Sequence, residues 1–358
     1  MRVLTISVDR SKRGVLHPGT DAFKRQEAYA KQLGSLDIIG SSLKSDNAKF
    51  FDSEHLRTYP TNSASRLLYG LDAIRIARKL PKPDIISAQD PFETGLAAWL
   101  VARMQTVPLH IQVHTDFLSA AYARHSFLNR IRVWIAGFVL RRASRIRVVS
   151  ERVKSSIKKK YHLKAPITVL PIFAHVERIN RAFPDEKLLV RFAAYKTKLL
   201  VVSRLEPEKN VGLAIRAFAQ SAPRDACLII VGSGSERLSL QHFAKRLNVA
   251  ERVFFEADAE AASYFKFVDL VLVPSKYEGY GLVIIEALAA GKPVLATDVG
   301  IAREAGAIVT TEEQFADTLV EWFRSGPRTA ELKSYPYRNF DEYVRKYCDD
   351  IKRCVIAQ

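Results

Sequence analysis

Short continuous apolar runs alternate with helix-spaced stretches along almost the whole chain, and this alternation most restricts how it can fold. A continuous apolar run of strand length, bounded by turn residues, reads as a strand buried on both faces. Parallel strands need long crossovers, and a helix is the usual one. The first series has strands expected at Arg2–Val8, Asp84–Ala88, Leu109–Val113, Arg145–Val149 and Ile167–Leu170, with short strands at Asp37–Gly40 and Leu56–Tyr59. Helices are expected between them over Ala22–Leu33, Ala64–Leu80, Thr94–Met104, Phe127–Arg142 and Ser150–Tyr161. A second series has strands at Lys198–Ser203, Cys227–Val231, Arg252–Phe255, Val268–Val273 and Val294–Thr297. Its helices are expected at Val211–Gln220, Ser235–Leu247 and Leu282–Ala290. The fold class is therefore α/β, with parallel sheets covered by helices on both faces.

A chain of 358 residues suits two domains of ordinary size. Phe173–Lys196 has no clean periodicity and contains Pro184, so the linker is placed there. This gives a first domain over residues 1–175 and a second over 176–338. The last helix, expected over Phe340–Ile356, carries Phe340, Tyr343, Val344, Tyr347, Ile351 and Val355 on one face. Residues 339–358 are expected to complete the first domain.

Charge is lopsided. Residues 1–200 hold 35 Lys and Arg against 16 Asp and Glu, whereas residues 201–358 hold 20 against 22. Within Val101–Lys164 there are 14 basic residues and two acids, Asp116 and Glu151. Such a patch attracts an anionic surface, nucleic acid or acidic lipid, unless it is simply the solvated face of a basic protein. Its cations include Arg130, Arg132, Arg141 and Arg142 on the helix at 127–142, and Lys158, Lys159 and Lys160 ending the next helix. That first helix also carries Phe127, Leu128, Ile131, Trp134, Ile135, Phe138 and Val139 on one side, with Trp134 and Phe138 either buried or dipping into an interface. No apolar run reaches the ~20 residues of a membrane span. Cys227, Cys348 and Cys354 are scattered, without metal-ligand spacing, and fit a reduced cytosol.

Chemistry concentrates in three places of the second series. Tyr277–Gly300 reads strand end, glycine turn, helix, glycine, strand. The glycines of Glu278-Gly279-Tyr280-Gly281 allow a sharp turn or a close backbone approach. The helix from Leu282 then presents unpaired N–H groups, a ready anion site. Glu278 and Glu286 bracket that site, and carboxylates there suit sugar hydroxyls more than phosphates. Ser203-Arg204-Leu205-Glu206-Pro207-Glu208-Lys209 follows a strand, where open α/β sheets bind ligands. Arg204 and Lys209 can clamp a diphosphate and stabilise it as it departs, or else pair with Glu206 and Glu208. Gly232 lies in Val231-Gly232-Ser233-Gly234, which serves a tight turn as readily as a phosphate. In the first series, His114 follows a strand end and can bind a sugar hydroxyl or donate to a leaving group. There is no Asp-x-Asp, no Gly-x-Gly-x-x-Gly opening the first helix and no Walker-type Gly-Lys-Ser/Thr. A metal-held diphosphate, a dinucleotide dehydrogenase and a P-loop NTPase each lack their usual motif.

These motifs resemble those of retaining glycosyltransferases of the GT-B fold, family 4. The resemblance rests on the Glu-x7-Glu spacing of Glu278 and Glu286, on VVSRLEPEKNVGLAIRAFA and on VDLVLVPSKYEG. In the first half it rests on SAQDPFETGLAAWLVAR, IQVHTDF and IRVVSERVKSSI. It implies two Rossmann-like doubly wound domains facing across a cleft. Ser203, Arg204 and Lys209 would hold the donor diphosphate with Gly232, Gly279, Tyr280, and the N–H groups around Gly281 and Leu282. Glu278 would contact the donor sugar, Glu286 the ribose, and His114 the reacting carbon's surroundings. Gly19 would approach phosphate and acceptor; it stands in Pro18-Gly19 where the family usually has two glycines. Ala257 stands where many relatives have glycine.

The resemblance implies front-face attack by an acceptor hydroxyl with retention, no metal and no cofactor besides the nucleotide-sugar donor. It also implies a bacterial enzyme peripheral on the anionic inner membrane face, acting on a lipid-linked or glycan acceptor. Two other readings stay open: a non-catalytic relative of this fold, and a nucleic-acid-binding protein using the basic half. The second would need base-stacking aromatics among the charges or a recognisable module, and neither is evident.

Overall fold

The computed structural model describes residues 1–8, 14–257 and 261–356. It divides into two compact units, Met1–Pro171 with Tyr337–Gln358, and Ile172–Pro336. Residues 9–13, before the Pro18-Gly19 turn, lie outside the described residues.

The first unit is built on eight strands. In chain order its elements are β1 (Arg2–Ser7), α1 (Asp21–Leu33), β2 (Ser35–Gly40), β3 (Phe51–Asp52), β4 (Leu56–Pro60), α2 (Tyr69–Ala77), β5 (Ile85–Ala88) and α3 (Glu93–Gln105). Then come β6 (Leu109–Val113), α4 (Ala120–His125), α5 (Phe127–Leu140), β7 (Arg145–Val148), α6 (Glu151–Lys160) and β8 (Ile167–Val169). The sheet order is β3-β4-β2-β1-β5-β6-β7-β8, parallel except for the β3–β4 pair. Val3, Leu4, Ile38, Ile39, Ile85 and Ile86 are almost fully buried, as strands covered on both faces require. Serine and threonine start four of its helices. The Thr20 hydroxyl accepts from the Phe23 amide, and Ser119, Ser126 and Ser150 cap α4, α5 and α6 in the same way.

Two expectations are corrected here. The helix expected at Ala64–Leu80 is shorter, because Thr61 and Ser63 donate to the Gly40 and Ser42 carbonyls and hold the chain extended beyond β4. A 3₁₀ turn at Arg66–Leu68 then leads into α2. Phe173–Lys196 is not a free linker. It forms α7 (Val176–Arg181) and α8 (Glu186–Arg191), and buried Phe192 stacks on Phe267 within the second unit. The boundary falls between Pro171 and Ile172.

The rest of the second unit runs β9 (Thr197–Val202), α9 (Val211–Ser221), β10 (Ala226–Val231), α10 (Arg237–Arg246), β11 (Val253–Glu256), α11 (Ala261–Phe265) and β12 (Leu270–Val273). It continues with α12 (Leu282–Ala289), β13 (Val294–Thr297), α13 (Ala302–Ala305), β14 (Ile308–Thr310) and α14 (Phe315–Ser325). The sheet order is β11-β10-β9-β12-β13-β14, all parallel. The chain builds outward from β9 on one side, then crosses to β12 and builds outward on the other. The carboxyl ends of β9 and β12 thus flank the topological switch point, where a parallel sheet opens a crevice.

The carboxyl-terminal helix, Phe340–Ile356, packs on the first unit against α1 and β6. It buries Val344, Ile351 and Cys354 and stacks Tyr347 on Tyr29, and polar groups join them. Asp350 accepts from His110 Nε2 at 3.1 Å and from Arg145 Nε at 2.6 Å. Ser87 Oγ meets His110 Nδ1 at 3.0 Å. This serine–histidine–aspartate series is structural, since Ser87 and His110 are wholly buried and Asp350 nearly so. Beside it, buried Arg147 donates to Gln112 Oε1 at 2.7 Å and to the Leu170 and Pro171 carbonyls, with its guanidinium over the Tyr347 ring. Burial opposes ionisation of Asp350. The hydrogen bond and charge of His110, with the hydrogen bond from Arg145, outweigh it and hold the carboxyl well below the usual carboxylate range. A folded-state value below the unfolded one makes Asp350 stabilising above about pH 4 and lets that stability drain as pH falls further. Asp350→Asn leaves Arg145 without its anion and is expected to cost about 3–5 kcal/mol in a urea titration at pH 7. A loss under ~1 kcal/mol would show that the terminal helix does not depend on this cluster.

Candidate active site

The β9/β12 switch point brings together most of the expected second-unit residues. The loop after β9 carries Ser203 to Asn210, and the loop after β12 carries Pro274 to Gly281. The Lys276 amide donates to the Glu208 carbonyl at 2.8 Å and ties the two loops together. Lys209 Nζ lies 2.6 Å from Glu278 Oε1, and Ser275 Oγ donates to the same oxygen at 2.9 Å. Both partners of the ion pair keep 17% of their side-chain surface exposed. The pair is therefore reachable from solvent yet shielded enough to be oriented.

The pairing with Glu208 expected as one of the two readings is seen for Arg204, and Lys209 pairs instead with Glu278. Arg204 pairs with Glu208 at 2.8 Å on an outer edge and is 70% exposed, whereas Lys209 turns inward to Glu278. Glu206 takes neither cation. It accepts from the Ser235 amide at 3.1 Å and from its hydroxyl at 2.7 Å. Arg204 and Lys209 thus stand on the same loop with different surroundings, one exposed and one largely shielded.

The glycines after β10 have a packing role. A Cβ on Gly232, whose φ is +143°, would lie 1.9 Å from the Ser203 carbonyl oxygen. The loops after β9 and β10 close against each other there, with Leu205 donating to the Ser233 carbonyl at 2.8 Å. Ser203 lends its amide to Val231, and its hydroxyl is buried without a hydrogen-bond partner among the described residues.

Gly281 starts α12 with φ +96° and no side-chain cap, so the first amides of the helix from Leu282 onward carry its positive end unneutralised. Behind this turn, Ile301 donates to the Tyr280 carbonyl at 3.0 Å and Thr297 Oγ1 to the Ser275 carbonyl at 2.5 Å. The Tyr280 ring is buried, and burial raises its hydroxyl pKa; Tyr280 therefore faces the site through its main chain. Gly279 lies in the same turn. Glu286, one turn into α12, is half-buried. Burial alone pushes its pKa up, and its carboxylate has no hydrogen-bond or ion-pair partner among the described residues. An acceptor held in this way is suited to hydroxyl donors.

In the first unit, His114 follows β6 and is half-buried. Burial first, then the charges of Arg147, Arg25 and His110, push its pKa down to about 3. At neutral pH it is an uncharged imidazole. It keeps one N–H donor and one ring-nitrogen acceptor, which suits either of the two roles expected of it. Gly19, with φ +86°, is exposed just before the Thr20 cap of α1 and has open space where a Cβ would point. Ser275 is the one participant the motif reading passed over. The signal was Ser-x-x-Glu at 275–278, the spacing by which a serine hydroxyl meets the acid three residues on.

The basic patch is also sorted by the structure. Arg132 is paired with Glu93 at 2.9 Å and does not contribute a free cation. Arg130, Arg141, Arg142 and Lys158 to Lys160 are exposed.

Among known proteins, the family model "Glycosyl transferases group 1" matches residues 184–335 and "Glycosyltransferase Family 4" matches residues 39–178. The chain belongs to this glycosyltransferase family. The alpha-monoglucosyldiacylglycerol synthase of Streptococcus pneumoniae is 27% identical over 239 residues, 63% of this chain and 54% of that protein. The D-inositol 3-phosphate glycosyltransferase of Mycobacteroides abscessus is 31% identical over 255 residues, 64% of this chain and 56% of that protein. The chain thus spans about half the length of the curated relatives it matches. The crystal structure of Anabaena Alr3699/HepE in complex with UDP and glucose superposes with a TM-score of 0.69 at 21% identity, over 98% of this chain and 96% of that one. The sucrose-phosphate synthase of Thermosynechococcus elongatus gives 0.71 at 18% identity, over 99% and 94%. The fold is that of the GT-B glycosyltransferases.

Gly232→Ala must both strain a left-handed position and push the Ser203 carbonyl away, and it is expected to destabilise the protein by about 1–3 kcal/mol in a urea titration. An unchanged midpoint would show that the two loops do not need their close approach.

Proposed function

We propose that the protein is a retaining, metal-independent glycosyltransferase. It moves a hexose from a UDP- or GDP-linked sugar to a hydroxyl of a lipid-linked or glycan acceptor at the inner membrane face. The observation that carries this reading is the Lys209–Glu278–Ser275 cluster at the β9/β12 switch point, beside the uncapped start of α12. A diphosphate seated there meets Lys209, Arg204 and the amides from Leu282 onward. Those groups stabilise negative charge as it builds on the departing phosphate. Glu278, held by Ser275, accepts hydrogen bonds from donor sugar hydroxyls, and Glu286 accepts them from the ribose. Neutral His114 serves as a hydroxyl partner.

In the transfer step the bond from the anomeric carbon to the phosphate oxygen breaks, and a bond to the acceptor oxygen forms on the same face. The acceptor proton passes to the departing phosphate. Metal independence draws its support from the sequence, which has cations at the diphosphate position and no Asp-x-Asp. The donor class is supported by neighbours solved with UDP and glucose or with UDP-glucose. The lipid acceptor is supported by a relative named for a diacylglycerol product and by the exposed cations of α5 and α6. No described helix is long and apolar enough to cross a membrane.

The test is release of nucleoside diphosphate from UDP-, GDP- and ADP-sugars, with EDTA present or absent, and NMR of the product anomer. One donor is expected to be turned over equally in EDTA with its anomeric configuration kept. Lys209→Ala is expected to lower kcat by about 10²- to 10³-fold. Turnover that stops in EDTA, or an inverted anomer, would overturn that part of the reading. No turnover of any donor with any supplied lipid or glycan acceptor would leave the non-catalytic alternative.

A further inference from the structure

Three successive polar side chains after β6, those of His114, Thr115 and Asp116, make no hydrogen bond or ion pair among the described residues. Asp116 is the most confined of them, with 8% of its surface exposed. Burial raises its pKa, and the charge of Arg152 on α6 offsets only part of that. No hydrogen bond steadies the carboxylate, yet neither of its oxygens is sealed from solvent. A carboxylate held in this way costs the fold stability, and such groups mark places where a ligand supplies the missing partner.

The loop that presents these groups is anchored. The Phe117 amide donates to the Thr115 carbonyl at 2.9 Å and the Ser119 amide to the Asp116 carbonyl at 3.2 Å, so Asp116 stands in a tight turn. Phe117 is wholly buried and meets Phe92 edge-on at 5.6 Å, and Phe92 stacks on Tyr122 of α4 at 5.9 Å. Those rings fix the turn against the loop that follows β5. Gln89, at the end of β5 and so beside β6, accepts from the Ser7 hydroxyl on its Oε1 at 2.7 Å. Its side-chain N–H groups have no partner among the described residues. In this sheet the chain builds outward from β1 to β2 on one side and from β5 through β6, β7 and β8 on the other. The unsatisfied groups therefore gather at carboxyl ends of strands beside a second switch point, where parallel sheets take ligands.

The chemistry of these groups limits what can sit among them. An ionised Asp116 only accepts and repels phosphate, uncharged His114 offers one donor and one acceptor, and Gln89 offers donors. Such a set suits neighbouring hydroxyls on a ring, each of which gives one proton and takes another. A single alcohol would leave most of it unused. We propose that Asp116, with His114 and Gln89, binds adjacent hydroxyls of a sugar or cyclitol ring at the reacting end of the acceptor, and so selects a ring polyol over a single lipid alcohol. The inference rests on the transferase reading and narrows its acceptor. Cations of the second unit meet the donor's phosphates, whereas this carboxylate takes a partner that carries hydroxyls. Asp116 makes and breaks no bond, and the acceptor proton still passes to the departing phosphate.

Saturation-transfer NMR of the whole protein with methyl α-D-glucopyranoside, myo-inositol and cyclohexanol, alone and with UDP or GDP, tests this. The two polyols are expected to be saturated and cyclohexanol not. Asp116→Asn is expected to weaken polyol binding about tenfold or more, because a hydrogen bond to a charged group is lost. The same variant is expected to raise the melting temperature by about 1–3 °C, since it removes a buried charge without depriving any partner. A carboxylate with a purely structural role would behave the other way, so a lower melting temperature would overturn the proposal. Polyol binding unchanged in Asp116→Asn, no saturation of either polyol by wild type, or equal saturation of cyclohexanol would overturn it too. Nucleotide resonances in the same samples report on the donor site separately. Polyol binding that depends on Asp116 without any nucleotide binding would sink the transferase reading and leave the ring-hydroxyl site standing.

Discussion

The ion pair between Lys209 and Glu278 joins the two loops that a parallel sheet leaves open at its switch point. Neither residue could do this from within a strand, because a strand's side chains point to the covered faces of the sheet. Each sits a few residues past a strand's carboxyl end, and a main-chain bond from Lys276 to Glu208 fixes the spacing. Ser275 then sets which way the carboxylate turns. The chemistry of a phosphorylated, hydroxylated ligand follows from that arrangement. A cation and a carboxylate lie side by side, and a helix start supplies amides where an anion can join them.

The first unit is organised by a different constraint. Its terminal helix returns across the chain to strands laid down long before it, and buried polar groups join apolar and ring contacts there. Arg147 is nearly fully buried and among the described residues faces no carboxylate, so two carbonyls, an amide oxygen and the Tyr343 hydroxyl share its protons. Such a cluster tolerates few partial arrangements, since any missing partner leaves a buried donor or charge without compensation. It fixes where the helix docks.

Much of this was legible in the sequence. The alternation of apolar runs with helical spacing gave both sheets, and β6, β13 and the terminal helix lie at the residues expected. Burial on both faces leaves few other ways to read a four- or five-residue apolar run between glycines. The motif residues after β9 and β12 meet because the sheet order puts those strands side by side, which spacing along the chain cannot show. Ambiguity remained where local pattern and tertiary contact disagree. The segment before β9 looked like a linker because its helices are one to two turns long, too short for a periodicity; Phe192 anchors it nonetheless. The α5 stripe had the spacing of a core face, and only the packing of the helix's other side shows that it points outward.

The central claim is that the β9/β12 switch point binds a nucleoside diphosphate through Arg204 and Lys209. The most direct measurement is calorimetric titration of UDP, GDP and ADP into the wild-type protein and into the variant carrying Arg204→Ala and Lys209→Ala. The account predicts saturable one-to-one binding of at least one nucleotide to wild type and a loss of at least a hundredfold in affinity in the variant, measured at a temperature where the variant is folded. Equal affinity in a folded double variant would contradict it and move the diphosphate away from these two cations.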